Sequence, residues 1–219
     1  MLAFLTTPCQ TIAGVRMTAI SLEDGTYLVS LARRAISEYF ETGKKISPNK
    51  MDGALSDKIG VFVTLNTYPA RELRGRFGCP MPINGLAFAV VDGALSAAFE
   101  DNNFTPLEKD ELEKLIIELT VLSPSEEIKV KTPEEYIKKI KIGRDGLTVR
   151  YGYSSSILLP QAPIEWNWNE KEFLCHLCQT AGLPPEMWRS PSVHISKFEA
   201  QIFCEDKPKG KTIQKRLIR

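Results

Sequence analysis

The chain has 219 residues, 43% of them hydrophobic and 25% charged, with a formal net charge of +1. That size and composition suit a globular protein with a full core, and the near-neutral balance gives no whole-molecule field toward nucleic acid or membrane. No apolar run reaches the eighteen or so residues of a membrane span, and five scattered cysteines read as reduced thiols of a cytoplasmic protein.

Residues 1–20 lack the apolar centre of a signal peptide and read as an accessory leader. A helix follows. Leu28, Leu31, Ala32, Ala35, Ile36, Tyr39 and Phe40 recur at three-and-four spacing. Ser21 is placed to cap it with Asp24 three residues on, and Gly43 to end it.

Residues 59–65 are β-branched, aromatic and uncharged, so they predict a buried strand. Tyr68-Pro69-Ala70 turns the chain, and Leu73 to Phe77 predicts the returning strand of a hairpin. Residues 84–100 predict a helix rich in small residues. Thr105-Pro106-Leu107-Glu108 and Thr132-Pro133-Glu134-Glu135 both have the form of capping boxes that open helices.

Between those boxes, Ile117, Leu119 and Val121 alternate with Glu118 and Thr120 as a strand. Leu147 to Tyr151 and Ile157 to Leu159 predict further strands. Asn169 with Glu172 forms a third capping box, with Trp168 and Phe173 placed as a hydrophobic staple. Gly182-Leu183-Pro184 stops that helix, and Val193 to Phe203 predicts one closing strand. This irregular order predicts an α+β fold rather than a doubly wound sheet. Residues 205–219 hold six lysines and arginines against two acids. Without an aromatic residue to stack on bases, they read as a solvated, mobile basic tail with weak support for nucleic-acid binding.

Few residues have the pattern of chemistry. Cys175-His176-Leu177-Cys178 is a single pair where zinc needs four ligands. It lies inside its helix, with Cys178 on the apolar stripe, and reads as core. No phosphate loop, dinucleotide fingerprint or nucleophile elbow is present, so no cofactor or metal is expected. Glu72-Leu73-Arg74-Gly75-Arg76-Phe77-Gly78 stands apart. Alternation puts Glu72, Arg74 and Arg76 on one face, and Gly75 leaves room for close approach to the backbone. Two arginines so spaced suit a carboxylate or phosphate. On spacing alone, a surface strand whose charges pair across the sheet is the favoured reading.

Several blocks, in order, resemble the AMMECR domain family over about residues 21–204. They are Gly60-Val61-Phe62-Val63-Thr64, Leu73-Arg74-Gly75, Asp101 to Phe104, Leu119 to Ser123, Leu158-Leu159-Pro160-Gln161 and Ala181-Gly182-Leu183. The resemblance implies a two-lobed α+β fold with mixed or antiparallel sheets, and a cleft between lobes faced by the Leu-Arg-Gly strand. On that basis Thr64, Glu72, Arg74, Gly75, Arg76, Asp101 and Gln161 are candidate cleft residues for a small anionic ligand. It also implies a link to Memo-like or radical-SAM proteins, and hence an enzyme or enzyme subunit. A non-catalytic module for a protein or RNA partner is the alternative.

Three motifs depart from the family pattern. Its usual Leu-Arg-Gly-Cys-Ile-Gly is Leu-Arg-Gly-Arg-Phe-Gly here, so Arg76 and Phe77 replace cysteine and isoleucine. Its Asp-Pro-Arg-Phe is Asp101-Asn102-Asn103-Phe104, and its Lys-Ala-Gly is Thr180-Ala181-Gly182. A thiolate mechanism at the motif cysteine has no nucleophile unless Cys79 substitutes.

Overall fold

The computed structural model describes residues 19–217, so the predicted leader lies almost wholly outside them. The fold is α+β, and the chain divides into two compact units. One comprises residues 19–122 and 201–216; the other comprises residues 123–200 with Leu217.

In the first unit, α1 (Leu22–Thr42) starts where Ser21 Oγ accepts from the Asp24 amide and stops at Gly43 with φ 66°. That positive φ is easily reached only without a side chain. The strands are β1 (Val61–Thr67), β2 (Leu73–Cys79), β3 (Leu115–Leu122), β8 (Ala200–Glu205) and β9 (Thr212–Lys215). They lie in the order β2-β1-β3-β8-β9. Helix α2 (Leu86–Phe99) and α1 bury Leu28, Leu31, Ala87, Val90 and Ala94 together with Val61, Val63 and Leu65 of β1 and Phe203 of β8. The small residues of α2 permit that close approach: a Cβ at Gly93 would lie 2.9 Å from Val63.

The second unit holds β4 (Glu126–Glu127), β5 (Gly146–Tyr151), β6 (Ser154–Leu158) and β7 (His194–Phe198) in the order β4-β7-β5-β6. Three short helices join them: α4 (Glu134–Lys139), α5 (Ala162–Glu165) and α6 (Glu170–Thr180). Helix α6 has the predicted reciprocal capping box between Asn169 and Glu172. Phe173, Leu174, Leu177, Cys178 and Trp188 fill the core of this unit, and Trp168 packs against it. Cys178 is fully buried, and burial pushes its thiol up to about 11.

Four expectations change. The Thr105–Glu108 box opens no helix; the reciprocal box forms three residues on, between Glu108 and Glu111, for the single turn α3 (Lys109–Leu112). The chain there is tied elsewhere, since Leu107 N–H donates to Ala98 O and Thr105 O accepts from Arg74. At the second box, Glu135 accepts from the Lys131 amide instead of the Thr132 amide. The single closing strand is two, β7 and β8, in different sheets. The tail is not a free end: β9 pairs with β8, while Lys209 and Lys215 form ion pairs with Glu113 and Glu118. Among the described residues no helix is long and apolar enough to cross a membrane.

Candidate functional site

The β1–β2 hairpin carries five of the seven candidate residues or their direct partners, and its register decides where each points. Thr64 lies opposite Arg76, and Leu65 lies opposite Gly75. The next pair is Asn66 with Leu73, so Arg74 is an extra residue in β2. A bulge of this kind breaks strict alternation and re-aims a side chain. The two arginines therefore have different surroundings.

Arg74 is fully engaged within the fold. Its Nε and Nη2 donate to the two carboxylate oxygens of Glu111 at 2.7 and 2.8 Å, and Nη1 donates to Thr105 O at 3.1 Å. Its guanidinium also lies 5.9 Å from the centre of the Phe104 ring. The bidentate pair is the strong form of a charged hydrogen bond. Arg74 holds the Glu111 carboxyl below its ordinary pKa, against an opposing push from burial.

Gly75 is required by packing. A Cβ there would lie 2.2 Å from Ala97 O of α2. What approaches the backbone at this point is the end of a helix.

Arg76 is different. Its backbone N–H donates to Asp101 Oδ2 at 2.8 Å, and Asp101 Oδ1 in turn accepts from the Asn103 amide at 2.9 Å. The strand edge is thus clamped by the Asp101–Asn103 turn. The Arg76 side chain is exposed, and its Nε reaches Thr64 Oγ1 at 3.3 Å. Among the described residues its two Nη atoms have no acceptor and no carboxylate partner.

Glu72 lies outside β2, in the turn, where its amide donates to Thr67 Oγ1. Gln161 belongs to the other unit, at the start of α5. Thr64, Arg76 and Asp101 are thus brought together, whereas Arg74 turns to Glu111 and Glu72 faces solvent.

Two further residues complete the sheet face. Glu118 lies opposite Thr64 on β3, is 8% exposed, and pairs with Lys215 of β9. A lone carboxylate in the apolar run Ile116-Ile117-Glu118-Leu119 was its signal in the sequence. Arg76, Thr64 and Glu118 lie side by side across β2, β1 and β3, and the Lys215 side chain reaches Glu118 from β9. Glu118 is neutralised by Lys215, so the Arg76 charge is the one left uncompensated among these four.

Neither nearby thiol stands in for the family's cysteine. Cys79 packs against the helix-side core, the face away from Thr64 and Arg76, and burial raises its pKa. Cys204 is fully buried, with its thiol pushed up by that burial. Thiolate character, which reactivity requires, is disfavoured at both.

Comparison with known proteins gives a consistent result. The family model described as AMMECR1 matches residues 29–203. Protein MJ0810 of Methanocaldococcus jannaschii is 46% identical over 202 residues, covering 92% of this chain and all of the relative. Protein MK0488 of Methanopyrus kandleri is 50% identical over 192 residues, covering 87% of this chain and 93% of the relative. The crystal structure of uncharacterized protein PH0010 from Pyrococcus horikoshii superposes with a TM-score of 0.86 at 46% identity, covering 90% of this chain and 99% of that one.

Proposed function

The chain belongs to the AMMECR1 family, and within it we propose that this member binds a small carboxylate- or phosphate-bearing ligand through the Arg76 guanidinium. One observation carries the reading: Arg76 presents two Nη atoms with no acceptor among the described residues from a strand whose backbone is fixed by Asp101. A planar guanidinium offers two parallel donors to an oxyanion. Thr64 Oγ1 holds Nε and limits the rotation of the group, which reduces the entropy lost on binding. Arg74 contributes to the shape of this wall, not to its free charge, because Glu111 already takes its bidentate face. A covalent thiolate step is unsupported, given Arg76 at the motif position and the core-facing Cys79.

The test is isothermal titration of the full chain with inorganic phosphate and with citrate, at constant ionic strength. Arg76→Ala is expected to weaken binding about tenfold or more, in line with about 1.5–3 kcal/mol for a hydrogen bond to a charged group, while the thermal midpoint stays within a degree or two of wild type. Arg76→Lys should recover part of the affinity but not the bidentate component. Equal binding by wild type and Arg76→Ala would overturn the reading.

A further inference from the structure

The second unit has its own depression, of about 420 Å³, along the extended segment that continues from β4. That volume is in the range of small-molecule sites. Residues Glu127, Lys129 and Lys131 alternate along this segment with Ile128 and Val130, which face the core.

The wall has a surplus of hydrogen-bond donors. Neither Lys129 nor Lys131 has an ion pair among the described residues. Tyr136 lines the depression, is 8% exposed, and its hydroxyl makes no hydrogen bond among the described residues. Trp188 lines it as well, is fully buried, and its indole Nε1 has no partner among the described residues. An indole N–H can only donate, and a buried donor without an acceptor is costly. The one carboxylate in the wall, Glu127, is already held by His194 Nδ1 at 2.8 Å.

Two lysines without ion pairs, a tyrosine and a tryptophan whose buried indole N–H lacks an acceptor, all lining one depression, favour an acceptor-rich guest. We propose that this depression is a second ligand site, taking a small molecule that carries a phosphate or carboxylate group against Lys129, Lys131, Tyr136 and Trp188. It is independent of Arg76, and the room exceeds what the oxyanion alone fills, so the guest has a body as well as a charged head.

The experiment uses the indole N–H resonance of Trp188 in the full chain. The chain has three tryptophans, so Trp166→Phe and Trp168→Phe identify the Trp188 signal by elimination. Inorganic phosphate, phenyl phosphate and benzoate are titrated separately at constant ionic strength. A saturable shift of the Trp188 signal is expected. Phenyl phosphate should bind more tightly than inorganic phosphate, and its comparison with benzoate tells which head group the site takes. The doubly substituted Lys129→Gln, Lys131→Gln chain should lose affinity about tenfold or more while its other resonances keep their folded dispersion. Arg76→Ala should leave the Trp188 titration unchanged, so failure here is distinguishable from failure at Arg76. Absence of a saturable shift with all three probes would overturn the proposal, as would a shift that is the same in the double variant.

Discussion

Arg74 and Arg76, two residues apart, carry identical side chains and do different work. The bulge turns Arg74 into a bidentate pair with Glu111 and leaves the Arg76 guanidinium exposed. Arg74→Ala should therefore lower stability by about 2 kcal/mol, since among the described residues it leaves Glu111 with only the Glu108 amide and the Thr105 carbonyl without its donor. Glu111 is about a third exposed, so added salt should reduce that loss. The loss should also depend on pH. Because Arg74 lowers the Glu111 pKa in the folded state, its contribution is complete above the ordinary glutamate value and fades as pH falls through the folded one. Urea denaturation of both chains at pH 7 and pH 3 measures this: a wide gap at pH 7 that narrows at pH 3 is expected. A gap that widens toward pH 3 would contradict the assignment. The sequence showed that this segment was special, and its glycine and arginines were legible there. It did not show the bulge, because the partner that sets the register, Asn66 against Leu73, is fixed only when the ladder forms. Nor did it show Glu111, which lies 37 residues from Arg74.

The ends of α1 and α6, whose signals are local, were read correctly, whereas the first two capping boxes and the closing strand take a different form in the fold. The caps of α1 and α6 act within four residues, so Ser21, Gly43, Asn169 and Glu172 specify their helix ends directly. The Thr105 box has the same local form but loses to tertiary bonds, as Leu107 is drawn to Ala98 O and Thr105 O to Arg74. The contrast makes a paired prediction. Asn169→Ala should cost about 1 kcal/mol, the usual worth of a capping side chain, whereas Thr105→Ala should change stability by less than about 0.5 kcal/mol, because it is the backbone carbonyl that is used. Equal losses in chemical denaturation would mean that Thr105 caps a helix after all. The split between β7 and β8 was similarly hidden. Val193 to Phe203 is continuously strand-like, and only pairing with two different sheets divides it at Glu199.

Across the whole chain, each unit has a core of its own, and residues 201–216 belong to the first unit although the chain leaves that unit at Leu122. Composition made this end look like a solvated tail, because six cations crowd 15 residues. The carboxylates that neutralise two of them, Glu113 and Glu118, lie near residue 115 and are not visible as neighbours in the sequence. Lys215 matters most, since Glu118 is 8% exposed and has no other ion pair among the described residues. Removing one partner of a buried ion pair is typically worse than removing both. Lys215→Met should therefore destabilise the first unit by about 2 kcal/mol, less than a fully buried pair because the Lys215 side chain is about a third exposed, and adding Glu118→Gln should recover much of that loss. Native-state hydrogen exchange gives the spatial readout. In Lys215→Met, amides of β1, β3 and β8 should lose protection, while those of β5 and β7, paired in the other sheet, should change much less. Uniform loss across both sheets would show instead that the two units unfold as one. Unchanged protection in β3 would show that Glu118 is satisfied without Lys215, and the C-terminal strand would then be the dispensable tail that its composition suggests.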